Sequence, residues 1–186
     1  MAHVKVVRRS MRPEEWTDLR FVWLQRGIYE DKFEITDLEI RDARQISEDQ
    51  YEYYSDEYRP LKKDDMYFTP DGTAFIRGHV QIPAHMKGKN IYFTLHTAAE
   101  MIVKINGKYV GGVDPNRERI LLNPYIDSDD LTIEIEAYNR SKPDDERNPA
   151  SLAHRGCRQI FEGAYLSTIR DNVQSLVYDY ILFMDI

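Results

Sequence analysis

Cysteine is nearly absent: Cys157 is the only one in 186 residues. One thiol closes no internal disulfide and builds no thiolate metal cage, so the fold must rest on a packed core. Long apolar runs are missing too, and none approaches the roughly 20 residues that cross a bilayer as a helix. The opening Met1-Ala2-His3-Val4-Lys5 lacks the apolar core and cleavage site of a signal peptide. With the lone cysteine, this fits a reducing compartment, and a cytoplasmic location is expected. Basic blocks are scarce: Arg8-Arg9 and Lys62-Lys63 are the only consecutive pairs, against a net charge of −7. The phosphate attraction behind nucleic-acid binding therefore has no evident source.

Catalytic signatures are thin. There is no Gly-x-Ser-x-Gly elbow, and Cys157 has only His154 nearby, at i−3, with no residue to orient the pair. The histidines His3, His79, His85, His96 and His154 are scattered, without the close pairs of hydrolytic zinc sites. Asp127, Asp129 and Asp130 lack the glycine and closing glutamate of a calcium loop and read as a turn. Glu134 and Glu136 share the face opposite Ile133 and Ile135, as on the solvated side of an antiparallel strand, and are not assigned catalysis.

What is present is alternation. Ala74, Ile76, Gly78, Val80 and Ile82 share one strand face, and Pro83, which cannot donate to a ladder, ends the strand. Ile91, Phe93 and Leu95 alternate with Tyr92, Thr94 and His96. Met101–Ile105 runs into Asn106-Gly107, the strongest short hairpin signal, and Tyr109-Val110 returns. Gly111-Gly112 marks a bulge or turn, and Ile120–Leu122 and Leu131–Ala137 follow as strands. Phe161–Ile169 completes the set. The expected fold is mainly β, an antiparallel β-sandwich of jelly-roll, galactose-binding-like type, with Ile76, Val80, Phe93, Leu95, Ile102, Ile133 and Ile135 buried.

The flanks differ. Pro13-Glu14-Glu15-Trp16 reads as a helix start, followed by an apolar stripe through Leu19, Val22 and Trp23, and Val4–Val7 as a short strand. Phe33-Glu34-Ile35 and Leu38-Glu39-Ile40 alternate as strand does. Asp42–Asp65 is polar and tyrosine-rich and is expected to run over the sandwich surface. The stretch from Tyr138 to Gly156, with Pro143 and Pro149, reads as a loop. Asn172 can cap a helix whose apolar positions are Val173, Leu176, Val177, Tyr180 and Ile181. A helix this apolar needs a surface to pack against. The expected organisation is an arm and surface excursion over 1–65, a sandwich over 66–170, and over 171–186 a helix leading to a downstream domain.

Sugar-binding modules combine aromatic platforms with planar polar side chains. Tyr109, Asp114, Asn116, Arg117 and Arg119 supply such groups around Gly111-Gly112. Asp114 and Arg117 are also close enough along the loop to hold each other, a purely structural role. Both readings stand at this point.

The segment as a whole resembles the accessory β-sandwich that precedes the catalytic domain of class II α-mannosidases, family 38 glycoside hydrolases. The features are a strand ending in Ile82-Pro83, then Ala98-Ala99-Glu100, Asn106-Gly107-Lys108, Gly112-Val113-Asp114 with Arg117 beyond, and Glu136-Ala137-Tyr138. The helix with Val177-Tyr178-Asp179-Tyr180 is similar to the lead-in to the catalytic domain. The tryptophan that many such sandwiches carry at the start of the core strand is missing, with Phe75 in its place. The resemblance covers roughly residues 66–186 and implies a non-catalytic N-terminal accessory domain of an α-mannosidase-like enzyme. In that family the catalytic zinc, its His and Asp ligands and the nucleophile belong to the downstream domain, so no catalytic residue and no cofactor is expected in this chain. The partners implied are that catalytic domain, a glycan and a second copy of the chain, with no nucleic acid and no membrane. The alternative is a stand-alone carbohydrate-binding sandwich; a self-contained glycosidase lacks its constellation.

Overall fold

Alternation of apolar and polar residues builds nearly everything described below. The structure, a computed structural model, describes residues 21, 23–65, 72–95, 99–114, 117–138 and 161–184. The Val4–Val7 strand, the Pro13 helix start, the loop expected to begin at Tyr138 (beyond Tyr138 itself), His154, Cys157 and Asn116 lie outside them. The chain divides into two compact units, Lys32–Ser167 and Met1–Asp31 with Thr168–Ile186.

Eleven strands are described: β1 (Tyr29–Ile35), β2 (Leu38–Ser47), β3 (Gln50–Tyr53), β4 (Arg59–Pro60), β5 (Thr73–Gln81), β6 (Tyr92–Leu95), β7 (Glu100–Ile105), β8 (Lys108–Val113), β9 (Arg119–Leu121), β10 (Asp130–Tyr138) and β11 (Ala164–Ile169). They form a four-stranded sheet of order β1-β11-β6-β9 and a seven-stranded sheet of order β3-β2-β5-β10-β7-β8, with β4 on β2. Every residue-by-residue pairing described is antiparallel. One continuous core joins Phe93, Leu95, Ile120 and Leu166 of the smaller sheet to Ile76, Val80, Val103, Ile133 and Ile135 of the larger. The fold is an antiparallel β-sandwich, and burying one face of each sheet is its main stabilising term.

Turn chemistry fixes the registers. Asn106 and Gly107 both take positive φ, 51° and 74°, as a two-residue hairpin requires. The Asn106 amide does a second job: its Oδ1 accepts from the Thr132 backbone N–H at 2.8 Å and pins the hairpin to β10. The Gly111-Gly112 pair lies inside β8, where Val103 faces Gly111 but Lys104 faces Tyr109, leaving Val110 as the extra residue of a bulge. Gly78 faces Leu38 and Ile133 on the two neighbouring strands. A Cβ there would sit 2.4 Å from the Asp37 carbonyl oxygen, so no side chain fits. The buried hydroxyls of Thr94 and Ser167 satisfy each other at 2.6 Å.

Two expectations need correction. Ile102 is not buried: half its surface is exposed (51%), while Met101, Val103 and Ile105 face the core. Period two groups Ile102 with Glu100 and Lys104, and four apolar residues in a run of five had hidden which parity points inward. The stretch Asp42–Asp65 is more than a surface excursion, since it supplies the end of β2, then β3 and β4. Ala43 in the middle of β2 is fully buried, and Leu61 just beyond β4 belongs to the core. The alternating Tyr51-Glu52-Tyr53 was the local sign of strand.

In the other unit, Phe21 and residues 23–27 are helical, and the helix Asp171–Met184 is the longest described. Arg170, just before it, donates from Nη1 to the carbonyls of Gly27 and Tyr29 at 2.9 and 2.6 Å. Phe21 and Tyr180 stack with ring centroids 5.5 Å apart. Only part of the expected stripe is covered. Val177 is buried and Val173 and Tyr180 half-buried, whereas Leu176 and Ile181 are exposed, with Leu182 and Phe183 beside them.

Candidate functional site

The outward face of the seven-stranded sheet carries its chemistry in rows set by the register. One row runs Glu39, Arg77, Glu134, Lys104 across β2, β5, β10 and β7, alternating in sign. Arg77 reaches Glu39 at 2.7 Å. Lys104 lies over the Tyr109 ring, 4.5 Å from its centroid. The Tyr109 hydroxyl holds the Lys104 ammonium above its usual pKa, with Glu134 and Glu136 adding to the effect. Alternation of this kind satisfies the charges within the sheet.

The next row, Arg41, Phe75, Glu136, Ile102, Gly112, is different. At its β2 end, Arg41 stacks on Tyr53 and Tyr58, with its guanidinium carbon 3.5 and 4.8 Å from the ring centroids. Tyr51 meets Phe75 edge-on at 4.8 Å, and its hydroxyl donates to Glu136. That bond to a carboxylate pushes the Tyr51 pKa up to about 12. At the β8 end, the row has no bulk at all, because Gly112 carries no side chain. Beyond lies a third row with Tyr138, opposite Glu100.

The result is an open groove of about 450 Å³ lined by Glu100, Ile102, Gly112, Asp114, Arg117, Glu136 and Tyr138 together with Met101 and Val113. Asp114 and Arg117 form its rim as a closed pair. Asp114 Oδ2 accepts from Arg117 Nε and Nη2 at 3.0 and 2.9 Å, and Oδ1 from the Arg117 backbone N–H at 3.0 Å. Backbone bonds between the same two residues reinforce the turn. A second recess, of about 520 Å³, lies between the β1–β2 turn and the end of β5. Two of its polar side chains have partners: His79 Nε2 hydrogen-bonds to Asp130, and Lys87 pairs with Asp129. Asp127 pairs with Lys108 at 3.2 Å, so each aspartate of that turn has a side-chain partner.

The structure therefore divides the expected sugar-contact residues. Asp114 and Arg117 come together at the groove. Tyr109 is at the opposite end of β8, some 16 Å away at the usual strand rise. Arg119 is on β9 of the other sheet, and Asn116 is outside the described residues. The groove also contains Tyr138, Ile102, Glu100 and Glu136, which sequence reasoning did not assemble. Their outward parity on β7 and β10 was the available signal; their adjacency depended on the pairing. Among the described residues no three of His, Cys, Asp and Glu stand close enough to hold a metal ion. No described helix is long and apolar enough to cross a membrane.

No family model matches the chain, and no curated protein matches it. Solved structures do. A calcium-binding mutant of Bacteroides uniformis beta-glucuronidase 2 aligns with 74% of the chain and 18% of its own length, at 18% identity and a TM-score of 0.44. The beta-D-glucuronidase of Dictyoglomus thermophilum aligns with 75% of the chain and 28% of its own, at 16% identity and a TM-score of 0.42. The Streptomyces avermitilis alpha-L-rhamnosidase complexed with L-rhamnose covers 72% of the chain and 19% of its own, at 9% identity and a TM-score of 0.23. The chain thus spans less than a third of the length of each.

Proposed function

We propose that the chain is a non-catalytic accessory β-sandwich of a glycoside hydrolase, of the class II α-mannosidase kind, which packs against the catalytic domain and supports it. The motif pattern from Ile82-Pro83 to Glu136-Ala137-Tyr138 supports the reading, and the sandwich fold agrees with it. One observation carries it: Leu176, Ile181, Leu182 and Phe183 are 50, 39, 65 and 77% exposed on a single helix. Leu176 and Phe183, seven residues apart, share one helix face, and exposed apolar side chains in this number on one helix suggest a segment that another body covers. In this reading the catalytic zinc sits with the catalytic domain, and the sandwich contributes no ligand to it.

Charge on the helix tests this. Leu176→Glu with Ile181→Glu is expected to leave the melting of the isolated chain within a few degrees of the parent. The same pair should lower glycosidase activity and thermal resistance of the complete enzyme. If the complete enzyme is unaffected while the isolated chain unfolds, the helix belongs to this chain's own core and the docking role is wrong.

A second reading, a stand-alone carbohydrate-binding module, is favoured by the groove alone. Its Tyr138, 40% exposed, and Ile102 lie beside an Asp–Arg pair. The two readings are compatible, since an accessory domain can also hold glycan.

A further inference from the structure

We infer that the groove over Ile102 and Gly112 is a binding site for a neutral glycan, a chain of uncharged pyranose units. The inference rests on the reading of this chain as part of a carbohydrate-processing assembly and adds the ligand class and the residues.

Shape comes first. The groove's volume, about 450 Å³, falls within the roughly 300–1,000 Å³ of small-molecule sites. Its floor is open because β8 places Gly112 beside Ile102. A Cβ at Gly112 would lie 3.3 Å from the Met101 carbonyl oxygen, so the strand is packed for glycine, and a larger side chain would also fill the space above Ile102. Surface composition comes second. Tyr138 and Ile102 are 40 and 51% exposed, and between them they offer an apolar patch of the sort that the C–H face of a pyranose covers. A hydroxyl both donates and accepts. Around the patch stand acceptors, the carboxylates of Glu100, Glu136 and Asp114, and a donor, the Arg117 guanidinium, whose side chain is 80% exposed even while paired.

Charge decides the class of sugar. Three carboxylates face one guanidinium, and the nearby Lys104 ammonium is turned over Tyr109. Like charge disfavours uronates, sulfated sugars, phosphates and nucleic acid. A basic peptide would need acceptors alone and would meet repulsion from Arg117; a neutral sugar uses both kinds of group. Glu136 is already held by the Tyr51 hydroxyl, which fixes one acceptor in place before ligand arrives.

The test is titration of the full chain, followed by backbone amide NMR shifts, with three neutral trisaccharides (mannotriose, cellotriose and maltotriose), trigalacturonate and trilysine. At least one neutral trisaccharide should shift the Ile102, Gly112 and Tyr138 amides with a Kd on the order of 1 mM or tighter. Trigalacturonate and trilysine should not. Tyr138→Ala and Arg117→Ala should each weaken binding at least about tenfold. Glu100→Ala, a fully surface change, should do so as well and guards against a loss caused by misfolding. The proposal is overturned if no neutral sugar shifts these amides at saturating concentration, if trilysine binds in their place, or if all three variants bind as the parent does. A groove that fails while the complete enzyme remains sensitive to the helix charges leaves the accessory reading standing. A groove that binds sugar with no accompanying hydrolase leaves this inference standing and removes the other.

Discussion

Two isoleucines on adjacent strands give the sharpest check on which face of the larger sheet is the core. Ile135 of β10 is 2% exposed, and Ile102 of β7, one residue out of step with it across the pairing, is 51% exposed. Each change to alanine removes three carbon groups, about 0.8 kcal/mol apiece when fully buried. For Ile135→Ala that is about 2.4 kcal/mol, and the cavity left in a core closed on all sides raises it to roughly 3–4 kcal/mol. For Ile102→Ala only about half the transfer term applies and no cavity forms, leaving about 1 kcal/mol. At about 2–4 °C per kcal/mol for a chain of this size, the first variant should melt roughly 6–16 °C lower and the second about 2–4 °C lower. Urea unfolding followed by far-UV circular dichroism measures both, with the slope of the transition unchanged. Equal losses in the two variants, or a larger loss for Ile102→Ala, would show that the assigned face of β7 is wrong, and the groove with it.

Three further predictions follow from local geometry. Gly78→Ala drives a Cβ onto the Asp37 carbonyl oxygen and should cost about 1–3 kcal/mol by overpacking, even though alanine is the better residue for the unfolded chain; a neutral or stabilising result in the same urea assay would contradict the β2–β5 register. Asn106→Ala loses both the positive-φ preference and the Oδ1 acceptor for Thr132 N–H, and should destabilise by about 1–2 kcal/mol, with Asn106→Asp recovering most of it. Tyr51, with its folded pKa raised to about 12 above the ordinary value of 10, adds stability that is complete below pH 10 and is lost as pH rises toward 12. Because the phenol lies on a solvent-facing sheet, that contribution is discounted to about 1 kcal/mol or less. The parent should therefore lose this margin over Tyr51→Phe between pH 10 and 12, and a margin that grows with pH would refute the Tyr51–Glu136 bond.

Much of this fold was legible in the chain because strand signals are local. Ile133, Ile135 and Val80 announce their face by strict alternation, and Asn106-Gly107 needs no tertiary context to turn. The failures have a common cause. Ile102 sits in a run too apolar to show its parity, and only pairing with Glu136 and Gly112 turns it outward. In 42–65, the strand alternation of Tyr51 and Tyr53 was obscured by charge; these rings cover Phe75 on the outer face and never enter the core, so hydropathy alone undervalued them. The site was half legible. Asp114 and Arg117 are three residues apart and could be joined on paper. Tyr138, Glu100 and Glu136 come from strands more than 30 residues apart in sequence from one end of the groove to the other, and nothing local predicts that β10 lies beside β7.

The claim that this sandwich serves a glycosidase is tested most directly by capturing the natural protein through an antibody raised against Lys32–Ser167 and assaying the captured material on aryl glycosides. Hydrolysis, highest on aryl α-mannoside, is expected to co-purify with the domain in fixed proportion and to be lost on addition of a chelator. Captured material that is homogeneous, folded and without action on any aryl glycoside would contradict it.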